Sequence, residues 1–238
     1  MLSHAVVMAA GRGERMRPLT DIIPKAMAPF RGGTLISQVV ERLGDKVSQV
    51  HVTVGYMAPL LSQYLMRLGV SSVHFTGRRS NAWWINNTVL SYLDKPVLVT
   101  ACDVVCKLDI SHWLDEYEFI GQPSCMIIPV DSRPEISGDF IHVNESGKVS
   151  MSRSEWSNIY CSGVQIVNPR KICRFVDEFT DFNDLWDRLG SAGELSVSSR
   201  RAEDWYAFDT VDQLVVQSTL SQQDIFRRAS RLSLNESI

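Results

Sequence analysis

The stretch that decides the fold runs from residue 9 to residue 25 and reads Ala-Ala-Gly-Arg-Gly-Glu-Arg-Met-Arg-Pro-Leu-Thr-Asp-Ile-Ile-Pro-Lys. It follows an apolar run at residues 5–8, which is typical of a buried parallel strand. Gly11 and Gly13 permit a tight turn whose amide hydrogens can converge on an anion. Four basic side chains of the same stretch add positive charge. The order of strand, glycine loop and basic side chains predicts a polyphosphate site.

Two better-known glycine loops do not fit this stretch. A dinucleotide fingerprint needs a third glycine where this chain has Met16, and a Walker A loop needs Gly-Lys followed by Ser or Thr. The whole string, including Pro18-Leu19-Thr20 and Pro24-Lys25, closely resembles the signature of the nucleotidyltransferases that activate sugar phosphates and related phosphorylated compounds. The resemblance implies that a nucleoside triphosphate and a phosphorylated acceptor yield a nucleoside diphosphate conjugate and pyrophosphate.

Size and composition set outer bounds. A chain of 238 residues with 45% hydrophobic residues can bury a normal core, and a formal net charge of −3 disfavours nucleic acid as a partner. No apolar run is long enough to predict a membrane span, and we expect a cytoplasmic protein. The five cysteines are odd in number and scattered, so we expect reduced thiols. Cys102 and Cys106 lack the further ligands of a zinc site.

The hydrophobic pattern alternates between strands and helices, which predicts a Rossmann-like, doubly wound, mostly parallel mixed sheet flanked by helices. We expect one nucleotidyltransferase domain over residues 1–220, followed by a last helix and a frayed tail over 221–238. The predicted strands are 50–54, 73–75, 97–100, 126–130, 140–143 and 164–167 after the first, and the predicted helices are 34–44, 60–68, 86–93, 170–179 and 211–220.

Two aspartates are the candidate metal ligands. Asp103 comes directly after the strand at 97–100, and ligands of doubly wound folds bind beyond the carboxyl ends of strands. Asp209 follows an aromatic-rich extended run that resembles the late metal-binding motif of the same family. Polyphosphate chemistry needs a divalent cation, and Mg²⁺ uses few protein carboxylates. The resemblance therefore implies a Mg²⁺ cofactor held by these two residues, although Asp103 could instead be a helix N-cap or a turn residue, and Asp209 could cap a helix.

The resemblance also assigns roles around the nucleotide. Arg15 would hold the β and γ phosphates of the triphosphate, and Lys25 would bridge the α phosphate and the acceptor. The nucleotide-binding set that the resemblance implies is completed by Ala9, Ala10, Gly11, Gly13, Gly55, Tyr56 and Asn87. Asn87 could equally cap a helix, and the sequence leaves the nucleobase open.

The acceptor site is predicted from a missing motif and a second resemblance. Residues 151–154 lack the Glu-Lys-Pro triplet with which many hexose 1-phosphate enzymes grip the sugar. Residues 160–164, 184–187 and the segment at Trp205 instead resemble the small choline-phosphate cytidylyltransferases, in which aromatic rings and carboxylates surround an ammonium group. The acceptor-binding candidates are Trp84, Asn86, Trp186, Asp187 and Glu203. The tryptophans could also simply be core residues.

Three functions are compatible with these features. The favoured one transfers a nucleotidyl group, from CTP by preference, to a phosphorylated amine or another non-hexose phosphate or phosphonate. The second uses UTP, dTTP or GTP and a sugar 1-phosphate to make a nucleotide sugar, and either product would serve as a cell-surface polysaccharide precursor. The third is a non-catalytic protein that only senses a nucleotide. The presence of Lys25, Asp103 and Asp209 together favours an enzyme. The sequence does not decide the oligomeric state of the protein, and a homo-oligomer is possible.

Overall fold

The computed structural model describes residues 2–133, 138–218 and 220–235. Five short 3-10 turns join its longer elements. The strands are β1 Leu2–Ala9, β2 Pro29–Phe30, β3 Gly33–Thr34, β4 Val47–Val54, β5 Ser72–Phe75, β6 Val97–Ala101, β7 Val104–Lys107, β8 Cys125–Asp131, β9 Phe140–Val143, β10 Val149–Ser152, β11 Ile159–Val167, β12 Leu195–Val197 and β13 Glu203–Ala207. The helices are α1 Leu35–Gly44, α2 Ala58–Arg67, α3 Trp84–Asn87, α4 Ile110–Phe119, α5 Pro169–Ile172, α6 Phe182–Ala192, α7 Val211–Gln217 and α8 Gln222–Asn235.

Nine of the described strands form one mixed sheet. Its main path runs β10-β9-β11-β6-β1-β4-β5, and β8 pairs with both β11 and β12. The pairs β1–β4, β1–β6, β4–β5 and β8–β12 are parallel, whereas β11 runs antiparallel to β6 and β8. The predicted fold class, an α/β fold with a mostly parallel mixed sheet between helices, is confirmed.

The alternation of side chains along β1 explains the two helical layers. Ala5 and Val7 belong to a hydrophobic cluster on one face, and Val6 belongs to a cluster on the other. Because successive residues of a strand point to opposite faces, an uninterrupted apolar run needs cover on both. Buried residues of α1, α2, α4, α7 and α8 cover the first face, and those of α3, α5 and α6 cover the second.

The pattern of hydrophobic residues predicted most of these elements, with errors in the details. Predicted helix 86–93 is the short α3 followed by a 3-10 turn at Val89–Tyr92, and predicted helix 170–179 ends at Phe175. Helices α4 and α6 were not predicted. The last helix exists as α8, which buries Ile225 and Ala229 in the core, and the predicted frayed end at 236–238 lies outside the described residues. In the described part of the chain, no helix has the length and apolarity to cross a bilayer.

Candidate nucleotide and metal site

The loop after β1 is held in shape by Gly13. This residue has φ +71°, in the left-handed region, and its carbonyl accepts from Met16 N at 2.9 Å and from Thr20 Oγ1 at 3.1 Å. A Cβ atom built on Gly13 would lie 2.7 Å from Lys25 Cβ. A side chain at Gly13 would therefore strain the backbone and collide with Lys25. Gly13, one of the two glycines identified in the sequence, therefore lets the loop after β1 pack against Lys25.

Lys25 lies at the centre of the site. Its Nζ contacts Asp103 Oδ2 and lies 3.0 Å from Asp209 Oδ1, and Arg15 Nη2 lies 2.8 Å from the same Asp209 oxygen. The Lys25 side chain is only 12% exposed. Burial lowers the pKa of Lys25, but the nearby carboxylates of Asp103 and Asp209 outweigh burial, so its pKa is raised and the amine is a cation at neutral pH.

Two backbone arrangements bring the aspartates together. β6 lies parallel to β1, so Asp103 emerges at the same edge of the sheet as the glycine loop, where Cys102 N donates to Met8 O at 3.0 Å. β7 and β13 form an antiparallel ribbon, and Phe208 N donates to Asp103 O at 3.0 Å. This ribbon places Asp209 beside Asp103. The geometry agrees with the rule that ligand sites lie beyond the carboxyl ends of parallel strands.

Neither aspartate caps a helix. Asp103 lies in the turn between β6 and β7. The N-cap of α7 is Thr210, whose side chain accepts from Gln213 N, and Asp209 N donates to Gln213 Oε1 at 2.5 Å. The side chains of both aspartates are therefore available for ionic contacts. The alternative assignment of Asp209 as an N-cap is wrong.

The donor set fits a hard divalent cation. The two carboxylates converge on one cation, the Lys25 amine, so they can approach a single positive charge. Mg²⁺ uses one or two protein carboxylates and takes its other ligands from water and phosphate oxygens. Among the described residues there is no group of three or more His, Cys, Asp or Glu side chains that could hold a metal without such help. A Mg²⁺ ion here would complete its coordination with water and with oxygens of a bound polyphosphate.

Gly55 and Tyr56 shape the same loop from the end of β4. Tyr56 N donates to Ala10 O at 2.9 Å, and a Cβ on Gly55 would lie 2.7 Å from that carbonyl oxygen. Tyr56 Oη donates to Thr20 O at 2.8 Å. These contacts bring Ala9, Ala10, Gly55 and Tyr56 to the predicted edge, and they support the loop. Contact with a nucleobase stays a prediction.

A cavity of about 470 Å³ opens beside the ion cluster. Its lining includes Arg15 and Asp209 and three aromatic residues, Tyr160, Trp205 and Tyr206. The rings of Tyr160 and Trp205 meet edge to face, with centroids 6.1 Å apart. Burial and then nearby Asp139 raise the pKa of Tyr160 to about 12, so its phenol is neutral at physiological pH.

The three aromatic residues of the cavity, Tyr160, Trp205 and Tyr206, form its aromatic wall. A bulge in β11 positions one of them, Trp205. The register of β11 with β8 shifts between Cys161 and Val164, and Gly163 within the bulge has φ +79°. The bulge turns Ser162 O toward Trp205, whose Nε1 donates to it at 2.8 Å. The Ser-Gly-Val segment predicted from the resemblance therefore orients an aromatic ring of the cavity.

Two predicted acceptor residues are core residues instead. The side chains of Trp84 and Trp186 are buried in the cluster on the second face of the sheet, at 1% and 7% exposure. Trp186 Nε1 donates to Gln165 Oε1 at 2.9 Å. Neither ring lines the cavity beside Asp209. This burial does not support an acceptor role for either ring, and the reading of these tryptophans as core residues describes them better.

The other predicted pocket residues also lie apart from the ion cluster. Asn86 Nδ2 donates to Val176 O at 3.4 Å, and Asn87 Nδ2 donates to Trp83 O at 2.9 Å. Asp187 is exposed on α6. Glu203 pairs with Lys107 at 2.7 Å, at the end of the β7–β13 ribbon far from Asp209. None of the four lines the cavity, and their proposed contacts with nucleotide or acceptor stay predictions.

Sequence reasoning missed three residues of this cavity. Arg133 and Asp212 line it with Tyr160, and the first two bring opposite charges to it. Asp212 lies in the first turn of α7, where an acid is also favourable for the helix terminus alone. Tyr160 was quoted only as the start of a motif. Nothing in the sequence near Arg133 indicates a site, because its place in the cavity depends on contacts between distant segments.

Comparisons with known proteins bear on the family of this chain. Residues 5–136, more than half of the chain, match the MobA-like NTP transferase domain. The bifunctional protein GlmU of Methanocaldococcus jannaschii is 27% identical over 110 residues, which are 46% of this chain and 27% of that protein. The chain spans between 15% and 57% of the length of these curated relatives and others that it matches.

Solved structures share the fold over nearly the whole chain. A Bacillus anthracis protein described as a glucose-1-phosphate thymidylyltransferase has a TM-score of 0.74 at 14% identity, covering 94% of this chain and 99% of that one. The CTP:phosphocholine cytidylyltransferase of Streptococcus pneumoniae has a TM-score of 0.66 at 18% identity, covering 98% and 99%. The glycine loop, Lys25 and Asp103 lie inside the matched region, which covers more than half of the chain, and the chain belongs to the MobA-like NTP transferase domain family.

Proposed function

We propose that this protein is a Mg²⁺-dependent nucleotidyltransferase that transfers a nucleoside monophosphate from a nucleoside triphosphate to a phosphorylated small molecule. The observation that carries the proposal is the convergence of Lys25, Asp103, Asp209 and Arg15 at the edge where the glycine loop ends. Two carboxylates and two cationic side chains at one point are suited to a divalent cation and a polyphosphate. A protein that only bound a nucleotide would not need this full set.

The reaction is an in-line displacement at the α phosphorus of the triphosphate. An oxygen of the acceptor phosphate forms the new P–O bond, and the bond to the β phosphate breaks, so pyrophosphate leaves with the electron pair. The attacking oxygen is already anionic near neutral pH, so no general base is required. Bound Mg²⁺ would offset negative charge on the phosphates. The protein contributes positioning and fixed positive charge.

Each residue has a specific task in this reaction. Arg15, whose side chain is 71% exposed, can reach the β and γ phosphates from the rim of the site. The protonated amine of Lys25 can stabilise charge on the α phosphate and the incoming acceptor oxygen. Asp103 and Asp209 would hold the cation. Gly11 has no protein atom within 4 Å of a Cβ built on it, which leaves room for a phosphate to approach the backbone.

We further propose CTP and a phosphorylated amine as the preferred substrates. The cavity combines the rings of Tyr160 and Trp205 with the carboxylate of Asp212, and these groups suit an ammonium ion. Arg133 and Arg15 line the same cavity and suit the acceptor phosphate. The fold shared with the Streptococcus pneumoniae cytidylyltransferase is compatible with this choice.

A sugar 1-phosphate is the second candidate acceptor. The likeness to GlmU and to the Bacillus anthracis protein described as a glucose-1-phosphate thymidylyltransferase favours it. An arginine-lined cavity of this size also has room for a hexose ring. In that case UTP, dTTP or GTP would be the donor, and the product would be a nucleotide sugar.

One experiment tests all of these assignments. Pyrophosphate release is measured with purified protein and Mg²⁺ across CTP, UTP, GTP and dTTP, each combined with phosphocholine, phosphoethanolamine and hexose 1-phosphates. We expect the highest kcat/KM for CTP with a phospho-amine. Efficient turnover of a hexose 1-phosphate instead would contradict the acceptor and leave the reaction type standing. No release with any pair, from protein that binds triphosphate, would favour the nucleotide sensor.

A further inference from the structure

A second cavity, of about 400 Å³, lies at the other end of the ribbon formed by β7 and β13. Arg31, Arg42 and Lys107 line it together with Asp204, and Tyr206 lines both this cavity and the one beside Asp209. Lys107 is four residues beyond Asp103 along an extended segment, which corresponds to roughly 13 Å. The second cavity is therefore distinct from the ion cluster around Lys25.

Two residues of this cavity have an unusual backbone. Arg31 has φ +44° and Asp204 has φ +50°, values that non-glycine residues rarely adopt. Arg31 and Gly32, with φ +86°, form the two-residue turn between β2 and β3. Turns of this kind prefer Asn, Asp or Gly at the first central position. For folding alone, arginine is a poor residue at position 31, and a strained residue of this kind is a candidate for function.

The charges in the cavity leave a positive excess. Lys107 pairs with Glu203 at 2.7 Å. Arg42 donates one bond to Cys106 O at 3.3 Å, and the guanidinium of Arg31 lies 4.9 Å from the ring centre of its neighbour Phe30. Among the described residues, neither arginine forms an ion pair with a carboxylate within 4 Å. The cavity is thus lined by three cations and one carboxylate, that of Asp204, in a chain whose overall charge is −3.

We propose that Arg31, Arg42 and Lys107 bind the phosphate group of a small phosphorylated molecule. Guanidinium groups present several N–H donors in one plane and match the oxygens of a phosphate, and an ammonium group adds a further charge. The concave lining, with three cationic side chains and one carboxylate, suits a small soluble molecule. Binding here does not depend on the proposed reaction.

A ligand in this cavity would touch the ribbon that carries both aspartates. Val104 and Ala207 pair at one end of the ribbon, next to Asp103 and Asp209, whereas Lys107 and Glu203 pair at the other end. The same two strands therefore connect the two cavities. This arrangement makes the site a candidate for sensing a phosphorylated metabolite close to the reaction centre.

The test is an NMR titration with inorganic phosphate at constant ionic strength, read on the backbone amides. We expect saturable shifts at residues 31–33 and 105–107, independent of any shifts at residues 9–25. Arg31→Asn keeps the left-handed turn and removes the charge, so it should weaken the affinity at residues 105–107 by about tenfold. Arg42→Gln should do the same.

Arg78→Asn is the matched control, because Arg78 is also an exposed arginine with positive φ, +63°, and does not line this cavity. It should bind phosphate like the parent. Shifts confined to residues 9–25, or an Arg31→Asn variant that titrates like Arg78→Asn, would overturn the proposal. The melting temperature of Arg31→Asn, expected to equal or exceed that of the parent, separates loss of binding from loss of fold.

Discussion

Lys25 Nζ lies 3.0 Å from Asp209 Oδ1, although 184 positions separate the two residues in the chain. Lys25 also contacts Asp103, so one ammonium group interacts with both carboxylates, and Arg15 brings a second cation to Asp209. Without a cation between them, two partly buried acids would repel each other. Lys25 thus occupies a position where a cation stabilises the aspartates in the absence of substrate, and the same amine is the proposed donor to the α phosphate.

Replacing Lys25 should therefore have two separate effects. Lys25→Met should lower kcat by about 10²-fold or more, because it removes a donor aimed at charge that develops in the transition state. It should also raise the affinity for Mn²⁺ in the absence of nucleotide, because no ammonium then competes for the carboxylates. Steady-state pyrophosphate release measures the first effect, and Mn²⁺ electron paramagnetic resonance measures the second.

The conservative variant Lys25→Arg is the control for charge. It should retain the weak Mn²⁺ binding of the parent, because a cation still faces Asp103 and Asp209. A Lys25→Met variant whose turnover is within a few-fold of the parent would remove Lys25 from the mechanism. Unchanged Mn²⁺ affinity in that variant would show that Lys25 does not compete with the metal.

The aspartates should be required for metal-dependent turnover. Asp103→Asn and Asp209→Asn should each abolish the dependence of activity on Mg²⁺ concentration, because a neutral amide holds a hard cation poorly. Asp115→Asn, at an exposed position on α4, is the matched control and should titrate like the parent. If either site variant keeps the parent's Mg²⁺ titration, the mutated residue is not a metal ligand.

The site around Lys25 could be predicted from sequence because it depends on a local motif and on the order of strands in the fold. The apolar runs at β1 and β6 predicted buried strands, and ligand sites of such folds lie beyond the carboxyl ends of the parallel strands. Helix α4 carries a readable signal too, since Ile110, Trp113 and Tyr117 recur at helical spacing and are all buried. Its omission was an error of interpretation.

The acceptor region could not be predicted in the same way. Whether a tryptophan lines a cavity or fills the core depends on partners far away in the chain. Trp186 is held by Gln165 from β11, and Trp205 is held by the carbonyl of Ser162 in a bulge. Composition shows only that the chain has six tryptophans, and it cannot distinguish those that line a cavity from those that are core residues.

The aromatic wall gives the sharpest test of the acceptor. Trp205→Leu should raise the acceptor KM more than the triphosphate KM, because a lost cation–π contact weakens only the headgroup, by about 0.5–2 kcal/mol. Trp186→Leu is the buried control and should lower the free energy of unfolding by about 3 kcal/mol while leaving the ratio of the two KM values unchanged. Steady-state kinetics on both variants shows which of the two tryptophans contacts the acceptor. A larger change of that ratio in Trp186→Leu would restore the prediction made from sequence.

A histidine cluster on the sheet predicts acid sensitivity. His51 Nε2 lies 3.0 Å from His4 Nδ1, and His51 Nδ1 lies 2.7 Å from Ser72 Oγ. Burial, and then the proximity of His4 and His74, lower the pKa of His51 to about 4 from 6.5. The unfolded chain therefore binds more protons than the folded one between pH 6.5 and 4, so stability falls as the pH falls through this window.

The expected loss from His51 is at most about 3 kcal/mol at pH 4. Urea unfolding at several pH values measures it, and His51→Gln should flatten the slope between pH 6.5 and 4. His112→Gln, at an exposed position on α4, should leave the slope as in the parent. Equal slopes in His51→Gln and the parent would assign the acid sensitivity to other groups.

Replacing each of the two loop glycines should affect a different property, stability for Gly13 and triphosphate binding for Gly11. Gly13 has φ +71° and no room for a Cβ beside Lys25, so Gly13→Ala should cost about 1–2 kcal/mol of stability from the backbone alone and displace the Lys25 amine. Gly11 has neither constraint, since its φ is not positive and nothing lies within 4 Å of a Cβ built there. Gly11→Ala should therefore fold like the parent. If a phosphate approaches the backbone at Gly11, the added methyl raises the triphosphate KM without changing the melting temperature, and this combination distinguishes a binding glycine from a structural one. Unchanged kinetics in Gly11→Ala would mean that the triphosphate does not contact the loop at this residue.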